Sequence, residues 1–338
     1  MTRPRLRVVV PDDFPAVVAG HPDLARLWAI SELKIYGERA ESTEELLRRV
    51  EGAQVIFNIR AFTRIDESLL ARLPDLRLIT VMGTGVDNID LAAATRAGVL
   101  VCNAPGANAR SVAEHTFALL LAAARHIARG DRELRAGEWR HHDALELEGK
   151  TLGLIGLGAI GSRVARMACG FEMRVLAWSR TPNQERAALC GATLTDLATL
   201  LRESDAVCIC LALTAETRHI VDEAALAQMK RDAVLVNTAR GALVDEVALV
   251  AALRSGRLRA AGLDVFEQEP LPPGSPLREL DNVVITPHAG WVSREARDRL
   301  VRVPIDNIFA WLDNRPQHVV NRDVLMRSPG PHGQVSAG

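Results

Sequence analysis

The chain has 338 residues, of which 48% are hydrophobic and 25% are charged, values that suit a globular protein of about two domains. A formal net charge of −1 and an aromatic content of 4% argue against an electrostatic grip on nucleic acid or on a membrane surface, and against a platform for stacking bases. The longest apolar run, Phe117–Ala124, is far too short to span a bilayer. We therefore expect neither a nucleic-acid nor a membrane partner.

The five cysteines indicate a reduced protein. Their number is odd, the segment Met1–Val10 lacks the apolar core of a signal peptide, and their spacing lacks the C-x-x-C pattern of metal sites. Cys208 and Cys210 lie two residues apart in an apolar run, so both are expected to pack on one face of a strand. We predict a cytoplasmic location and no metal site.

Short apolar strands alternate with helices in the N-terminal third of the chain. Ser42 or Thr43 is a candidate N-cap, with Glu44 and Glu45 in the first helical turn, and Asp66 is a candidate cap for the next helix. Strands and helices that alternate in this way predict a parallel, doubly wound sheet. The predicted strands are Arg7–Val10, Gln54–Ile59, Leu76–Val81 and Val99–Cys102, and the helices are Ser42–Val50, a short one after Asp66, and Leu91–Ala97.

The longest helical pattern runs from Ser111 to Gly130. Ser111 and Glu114 match a capping box, and Gly130 is a favourable stop. The pattern is apolar almost all round over Phe117–Ala124, which predicts a buried helix. A second helix is expected over Arg132–Trp139.

A second alternating series predicts a complete six-stranded dinucleotide-binding sheet. Its helices include Leu197–Leu201, Asp222–Met229 and Glu246–Ser255. A further helix over Ser293–Leu312 contains Pro304, which is expected to kink or split it. The predicted strands are Leu152–Ile155, Arg174–Trp178, Ala206–Leu211, Ala233–Val236, Ala260–Leu263 and Val283–Thr286.

The stretch Gly156-Leu-Gly-Ala-Ile-Gly161 is a G-x-G-x-x-G motif between a short strand, Thr151–Ile155, and a predicted helix, Ser162–Gly170. The first glycine permits a tight turn, the second lets a pyrophosphate approach, and the third lets the helix pack closely on the strand. Backbone N–H groups at a helix N-terminus attract phosphate. An ordinary strand–helix turn is the alternative, but the next strand follows at the spacing of a βαβ unit and favours a dinucleotide site.

Three neighbouring strands of the second series are followed by polar residues that suit chemistry. Arg240, Glu269 and His288 follow the fourth, fifth and sixth predicted strands. Taken separately, Arg240 fits a surface ion pair, Glu269 a turn cap and His288 a polar residue near the surface. Ligands of open parallel sheets bind outside the carboxyl ends of the strands, so their occurrence together beside a dinucleotide site favours one shared crevice.

In its motifs the chain resembles the D-isomer-specific 2-hydroxyacid dehydrogenase family, and the match covers nearly all of it. The order and spacing of the motifs are specific to that family. The resemblance implies an NAD(P)-dependent oxidoreductase that forms a homodimer through its nucleotide-binding domains. The stretches that carry it are Gly83–Asp90, Asn103–Asn108, Gly156–Gly161, Asn237–Gly241, Asp264–Pro270 and Pro287–Gly290.

The expected fold is therefore α/β, with two doubly wound, Rossmann-like domains and the active site in the cleft between them. The resemblance implies a discontinuous, flavodoxin-like substrate domain, residues 1–103 plus 291–326. Residues 104–290 are expected to form the dinucleotide-binding domain. Residues 327–338, rich in Gly, Pro and Ser, are expected to fray.

The family's reaction is reversible hydride transfer between a nicotinamide cofactor and C2 of a small D-2-hydroxy or 2-oxo acid. His288 is the expected acid–base, and Glu269 would orient its ring and stabilise the imidazolium. Arg240 supplies donors for the substrate carboxylate and the C2 oxygen, a geometry that lysine would not reproduce. Backbone N–H groups of Gly83 and Gly85 are expected to bind the other side of the carboxylate.

The resemblance also implies a set of cofactor contacts. Asp264 resembles the residue that fixes the nicotinamide carboxamide, and Thr84, Thr214 and Ala239 resemble further contacts. The predicted cofactor-binding residues are Thr84, Gly156, Gly158, Ala159, Ile160, Gly161, Ser179, Arg180, Thr214, Ala239, Asp264 and Gly290.

One departure from the family pattern concerns the choice of cofactor. NAD-preferring members end the second strand with an acidic residue, whereas no Asp or Glu occurs here between Glu172 and Glu185. The strand is followed instead by Ser179 and Arg180, which removes repulsion toward a 2′-phosphate and offers a cation to it. We therefore favour NADP(H), with NAD(H) as the alternative if Arg180 points to solvent.

The substrate prediction depends on two residues. Trp291 resembles the glycerate dehydrogenase and hydroxypyruvate reductase branch, which favours a small 2-oxo acid such as hydroxypyruvate or glyoxylate. Arg60 resembles a position that contacts a distal phosphate in phosphoglycerate dehydrogenases, although a plain surface charge is an equal interpretation. The alternatives are phosphoglycerate dehydrogenase-like activity, a dinucleotide-sensing corepressor-type binding protein, or a catalytically altered paralogue.

Overall fold

The computed structural model of the chain describes residues 5–59 and 63–326. Two compact units result: one contains the described residues up to Asn108 together with those from Arg294 onward, and the other is Ala109–Ser293. The functional domain boundaries at 103/104 and 290/291 stay a prediction. The tail expected to fray, 327–338, lies outside the described residues, as does Arg60.

Twelve β-strands and twelve α-helices occur in the described residues. The strands are β1 (Leu6–Val10), β2 (Ser31–Ile35), β3 (Val55–Asn58), β4 (Leu78–Val81), β5 (Leu100–Cys102), β6 (Thr151–Ile155), β7 (Arg174–Trp178), β8 (Ala192–Leu194), β9 (Ala206–Ile209), β10 (Val234–Asn237), β11 (Ala260–Leu263) and β12 (Val283–Ile285). The helices are α1 (Leu24–Ile30), α2 (Thr43–Val50), α3 (Glu67–Leu70), α4 (Leu91–Arg96), α5 (Ala109–Ala124), α6 (Ile127–Arg135), α7 (Gly161–Gly170), α8 (Gln184–Leu189), α9 (Leu197–Glu203), α10 (Glu223–Gln228), α11 (Glu246–Arg254) and α12 (Arg294–Leu312).

The first unit contains a five-stranded parallel sheet in the order β2-β1-β3-β4-β5. This is the doubly wound order of flavodoxin-like folds. The edge strand β2 was not predicted from the sequence, because Glu32 and Lys34 are exposed and leave few apolar residues to mark it. Ser42 and Asp66 cap α2 and α3 as predicted, each accepting a backbone N–H at the start of its helix.

The second unit contains a seven-stranded parallel sheet in the order β12-β11-β10-β9-β6-β7-β8. Counted from β6, this is the Rossmann order 3-2-1-4-5-6 with one more strand beyond the sixth. The predicted fold class, with two doubly wound parallel sheets, is therefore confirmed. The prediction of six strands was wrong, because β8 is a three-residue edge strand with too short a pattern to detect.

Both faces of the second sheet are covered by apolar cores, because side chains alternate along each strand. Leu154 and Val236 belong to the core on one face, and Ile155 and Leu235 to the core on the other. Cys208 belongs to the same core as Leu154, and Cys210 packs against that core, which confirms that the two cysteines share one face.

The ends of three strands of the second sheet lie level with one another. Asn237 at the end of β10 pairs with Leu263 at the end of β11, and Leu263 pairs with Ile285 at the end of β12. The segments that follow these strands therefore leave the sheet at the same height, at its carboxyl edge. This register brings the loops that carry Arg240, Glu269 and His288 to one side of the unit.

The predicted helix Ser111–Gly130 is two helices. α5 ends at Ala124, His126 adopts a left-handed conformation with φ of 54°, and α6 then replaces the helix expected over 132–139. The capping box was also wrong, because α5 begins before Ser111 and the Ser111 hydroxyl donates to the carbonyl of Gly290 instead. Burial of Phe117–Ala124 was predicted correctly for most of its side chains.

The C-terminal helix α12 passes through Pro304 without being split. Pro304 is buried, and its carbonyl accepts a hydrogen bond from the Thr80 hydroxyl of β4. Packing on the first sheet thus stabilises a helix that the proline alone would weaken. No helix among the described residues combines the length and apolar content needed to cross a membrane.

Gly262 of β11 offers a test of how tightly α5 packs on the second sheet. A Cβ added at Gly262 would lie 2.9 Å from Leu119 Cβ and 3.2 Å from the Leu119 carbonyl oxygen. Gly262→Ala should lower the free energy of unfolding by about 1–3 kcal/mol, because the helix must move to make room. Urea unfolding followed by circular dichroism measures the change.

Gly130→Ala is the matched control for that substitution. Gly130 lies inside α6, and an added Cβ would have no heavy atom within 4 Å. The control should raise the free energy of unfolding by about 0.5–1 kcal/mol through helix propensity. A Gly262→Ala variant as stable as the wild type would show that α5 does not rest on β11 as described.

Candidate active site

The glycine loop between β6 and α7 has three glycines in three different surroundings. Gly156 has φ of +106°, and a Cβ there would lie 2.5 Å from the Cys210 carbonyl oxygen. A Cβ at Gly161 would lie 2.1 Å from the Gly156 carbonyl oxygen. A Cβ at Gly158, in contrast, would have no heavy atom within 4 Å. The first and third glycines are therefore required by packing, and the second leaves the loop surface open.

This arrangement fits a dinucleotide pyrophosphate. The open surface at Gly158 lies at the start of α7, where the first N–H groups of a helix have no partner within the helix. Such N–H groups carry partial positive charge toward an anion. Ala159 and Ile160, two of the predicted cofactor residues, directly precede α7. The local structure thus has the features that the motif predicts.

The segment after β7 is polar, and half-exposed to exposed. Ser179 Oγ donates to the Thr181 carbonyl at 3.3 Å, and Arg180 Nη1 lies 3.4 Å from Thr214 Oγ1. The Thr214 hydroxyl donates a hydrogen bond to the Glu216 side chain, which also lies near the Arg180 guanidinium. The Thr214 hydroxyl and the guanidinium together lower the pKa of Glu216 below its ordinary value. Arg180 is thus held beside the end of β7.

The Arg240 turn is fixed by its own neighbours in the chain. The Asn237 side-chain amide donates to the Arg240 carbonyl at 2.8 Å, and its oxygen accepts the Ala239 N–H at 3.0 Å. Gly241 comes so close to the next loop that an added Cβ would lie 1.9 Å from the Phe266 carbonyl carbon. Only glycine fits there, and its absence of a side chain brings the Arg240 turn against the segment that leads to Glu269.

Glu269 and His288 form a direct hydrogen-bonded pair. His288 Nδ1 lies 2.8 Å from Glu269 Oε2, while Glu269 Oε1 accepts the Phe266 N–H at 3.0 Å. The carboxylate accepts only, so Nδ1 of His288 is the donor and Nε2 is left for another partner. His288 has φ of +52°, a left-handed conformation that the surrounding hydrogen bonds must hold. Its N–H donates to the Asp264 carbonyl at 2.9 Å.

Asp264 is the buried centre of the loop that carries His288. Its Oδ1 accepts the Thr286 hydroxyl at 2.5 Å and the Ala289 N–H at 2.7 Å, and its Oδ2 accepts the Gly290 N–H at 2.8 Å. His115 Nε2 lies 3.3 Å from Oδ1. Burial alone would raise the pKa of this carboxyl, but the hydrogen bonds outweigh burial and hold the pKa below its usual value. The predicted contact of Asp264 with the nicotinamide carboxamide stays a prediction.

The other predicted residues are divided between the two units. Gly83 and Thr84 follow β4 in the first unit, where Gly83 has φ of +155° and its carbonyl accepts the Ala104 N–H at 2.7 Å. Gly85 lies in the same segment, and Trp291 follows Gly290 in the second unit. Within 5–59 and 63–326, no group of three or more His, Cys, Asp or Glu side chains is placed to hold a metal ion.

Sequence reasoning missed three polar residues of α5 that contact the loops just described. Ser111 bonds Gly290, His115 bonds Thr286 and Asp264, and Thr116 Oγ1 lies 2.6 Å from Thr238 Oγ1. Their common signal is a polar side chain at a buried or half-buried position of a largely apolar helix. Such residues need hydrogen-bond partners, and here the partners are the loops with the candidate catalytic groups.

Comparisons with known sequences agree with this geometry. The family model described as D-isomer specific 2-hydroxyacid dehydrogenase, NAD binding domain, matches residues 117–290. A glyoxylate reductase from Aeropyrum pernix is 45% identical over 298 residues, which cover 85% of this chain and 89% of that protein. A D-3-phosphoglycerate dehydrogenase from Archaeoglobus fulgidus is 43% identical over 78% of this chain, and the match spans half of that longer protein.

Solved structures of similar proteins share the fold. A glyoxylate reductase from Paecilomyes thermophila has a TM-score of 0.85 and 32% identity, covering 94% of this chain and 98% of its own. An acyclic imino acid reductase solved with NADPH and D-Arg has a TM-score of 0.85 and 29% identity, covering 93% of this chain and all of its own. These findings confirm the resemblance noted in the sequence. The chain belongs to the D-isomer specific 2-hydroxyacid dehydrogenases, oxidoreductases that act on the CH–OH group of their donors and contain a nicotinamide-cofactor domain.

Proposed function

We propose that this protein reduces a small 2-oxo acid, glyoxylate or hydroxypyruvate, to the D-2-hydroxy acid, and catalyses the reverse oxidation. The observation that carries the proposal is the His288–Glu269 hydrogen bond of 2.8 Å in a loop next to the Arg240 turn. The glyoxylate reductases among its relatives support the choice of substrate.

The nicotinamide cofactor supplies the hydride that C2 of the substrate accepts, or takes it back in the oxidation. The residues that would hold the cofactor are those of the glycine loop, Gly156–Gly161, together with the segments after β7 and β11. What the protein must add is a donor for the substrate carboxylate and a group that moves one proton at the C2 oxygen.

His288 is the group that moves the proton. Because Glu269 occupies Nδ1, Nε2 is the nitrogen that remains to exchange a proton with the C2 oxygen. In the direction of reduction the imidazolium gives this proton to the oxygen, and in the direction of oxidation the neutral ring takes it. Glu269 keeps the ring oriented in both states, and the Phe266 N–H keeps Glu269 in place.

Arg240 binds the anionic end of the substrate. Its planar guanidinium offers a fixed pair of donors to a carboxylate, which lysine cannot match. Nη1 of Arg240 donates to its own Ala239 carbonyl at 2.8 Å, which restrains the side chain. Trp291, three residues after His288, is proposed to limit the size of the group attached to C2. Gly83 and Gly85 are proposed to contribute backbone N–H groups.

The first test is a panel of 2-oxo acids with NADH and NADPH, followed by loss of nicotinamide absorbance. We expect turnover with glyoxylate and hydroxypyruvate.

His288→Ala should lower kcat about 10²–10⁴-fold, the usual contribution of general acid–base catalysis, and leave dinucleotide binding nearly unchanged. His21→Ala is the control, because His21 also pairs with a carboxylate, that of Asp298, and neither residue belongs to the proposed site. A wild-type rate in His288→Ala would refute its role.

The same panel separates the alternatives. Oxidation of D-3-phosphoglycerate in preference to glycerate would favour the phosphoglycerate dehydrogenase reading, to which the Archaeoglobus fulgidus relative lends support. Tight dinucleotide binding without turnover of any acid would favour a corepressor-type sensor. Arg60, the residue proposed to contact a distal phosphate, lies outside the described residues.

NADP(H) is the proposed cofactor. The segment after β7 carries Ser179 and Arg180 in place of a carboxylate, and Arg180 is held beside Thr214. A guanidinium at this position neutralises the 2′-phosphate of NADPH, whereas an acidic residue would bind the free ribose hydroxyls of NADH. The related imino acid reductase, 29% identical, was solved with NADPH.

Ser179→Asp should reverse this preference. The added carboxylate repels the 2′-phosphate and accepts bonds from the ribose, so kcat/KM for NADPH relative to NADH should fall roughly tenfold or more, equivalent to about 1.4 kcal/mol. Gln228→Glu, on the exposed surface of α10, controls for the change in net charge. An unchanged ratio of the two cofactors in Ser179→Asp would contradict the assignment.

We also propose that the protein is a homodimer through its nucleotide-binding unit. Three large apolar side chains are exposed on α6 and on the segment that follows it in the chain: Ile127 at 57%, Leu134 at 59% and Trp139 at 81%. Exposed apolar groups close together in the chain are typical of a protein interface, and a second copy would cover them. A cytoplasmic location stays a prediction from the cysteine content.

Leu134→Glu combined with Trp139→Glu should convert the dimer to monomer in sedimentation equilibrium, because two charges would be buried in the interface. Val247→Glu is the control: Val247 is 80% exposed on α11, far from that segment in the chain. A double variant that sediments as the wild type does would place the interface elsewhere.

A further inference from the structure

Helix α5 contacts the loops of the candidate active site through three hydrogen-bonding side chains. Ser111 Oγ donates to the Gly290 carbonyl at 2.7 Å, and Thr116 Oγ1 lies 2.6 Å from Thr238 Oγ1, two residues before Arg240. His115, one helical turn after Ser111, reaches the centre of the His288 loop. Most of the other side chains of this helix are apolar, and Ser111 and Thr116 are buried among them, so these polar groups need hydrogen-bond partners.

The contacts of His115 show that its ring nitrogen Nε2 carries a hydrogen. Nε2 of His115 lies 3.0 Å from Thr286 Oγ1 and 3.3 Å from Asp264 Oδ1. Thr286 Oγ1 lies only 2.5 Å from the same Asp264 oxygen, which as a carboxylate accepts and cannot donate. The single hydroxyl proton of Thr286 is therefore used toward Asp264. Thr286 can only accept from His115, so Nε2 of His115 carries a hydrogen and donates it.

Asp264 holds the backbone on both sides of the His288 side chain. Asp264 Oδ1 accepts the Ala289 N–H and Oδ2 accepts the Gly290 N–H, which fixes the two residues directly after His288. The Asp264 carbonyl accepts the N–H of His288 itself. A shift of the carboxylate thus moves the backbone of the loop that holds His288 in its left-handed conformation.

The ring of His115 also fills space against this loop. A Cβ added at Gly290 would lie 3.4 Å from His115 Cδ2 and 3.0 Å from Asp264 Oδ2. The His115 side chain is 24% exposed. The loop at Gly290 therefore lies close to the imidazole, within van der Waals range of a single added methyl group.

We propose that His115 is a positioning residue for the reaction: its Nε2–H fixes Thr286 and the Asp264 carboxylate, and through them the orientation of His288. The proposal rests on the proposed function, because it assigns His288 the proton transfer. His115 itself touches neither the substrate nor the reacting atoms. Its role is to keep Nε2 of His288 directed at the C2 oxygen during catalysis.

The kinetic test compares His115→Ala with His115→Gln. The alanine variant removes the donor, and its kcat for glyoxylate should fall roughly 10- to 100-fold, the scale of loss when a reacting group is misplaced by about an ångström. KM for glyoxylate should stay within about threefold of the wild type, because the proposed carboxylate donor, Arg240, is not among the contacts of His115. The amide of glutamine reaches the position of Nε2 as a neutral donor, so His115→Gln should recover most of kcat.

Glu114→Ala is the matched control on the same helix, since Glu114 is exposed and precedes His115. It should keep the wild-type kcat. A kcat in His115→Ala within twofold of the wild type would overturn the proposal. So would an equal loss in the alanine and glutamine variants, because packing of the ring, and not its hydrogen bond, would then be the cause.

A second measurement does not depend on turnover. Hydrogen–deuterium exchange of the segment 286–292 reports the Ala289 and Gly290 N–H groups that Asp264 holds. This segment should exchange roughly tenfold faster in His115→Ala and at the wild-type rate in His115→Gln and Glu114→Ala. Unchanged exchange in His115→Ala would overturn the proposal. A wild type that reduces no 2-oxo acid would instead refute the proposed function, and exchange would still decide whether His115 holds the loop.

Discussion

A buried carboxylate, Asp264, organises the chemistry of the second unit. Its two oxygens accept one hydroxyl, two backbone N–H groups and the N–H of His115, and its own carbonyl accepts the N–H of His288. A carboxylate removed from water is stable only when its lone pairs are satisfied in this way. The donors come from a helix and from the loop after β12, so satisfying one charge joins elements that are distant in the sequence.

Close backbone contacts complete the arrangement. Gly241 lies against Phe266, which brings the Arg240 turn to the Glu269 segment, and Gly161 lies against Gly156, which closes the turn into α7. At both positions a methyl group would overlap backbone atoms that cannot rotate away. Together with the level ends of β10, β11 and β12, these contacts place the Arg240 turn and the hydrogen-bonded pair of His288 and Glu269 at one edge of the sheet.

The strong patterns in the sequence were sufficient for most of the fold. Strands with continuous apolar runs, such as β6 and β9, and helices with clear caps, such as α2, were predicted close to their observed bounds. The errors occur where the local signal is weak. β8 has three residues, and α5 is continued by α6 after a left-handed His126 that no glycine or proline marks.

The sequence by itself determined the alternation of strands and helices and the glycine loop, and it singled out Arg240, Glu269 and His288 as candidates, because these depend on residue type and local spacing. Only the tertiary structure decided which nitrogen of His288 meets Glu269 and what Ser111 and His115 do. The neighbouring residues in the chain predicted that Ser111 caps a helix, yet its hydrogen-bond partner Gly290 is 179 positions away. Tertiary packing determines which groups form hydrogen bonds across such separations, so a local sequence pattern cannot predict them.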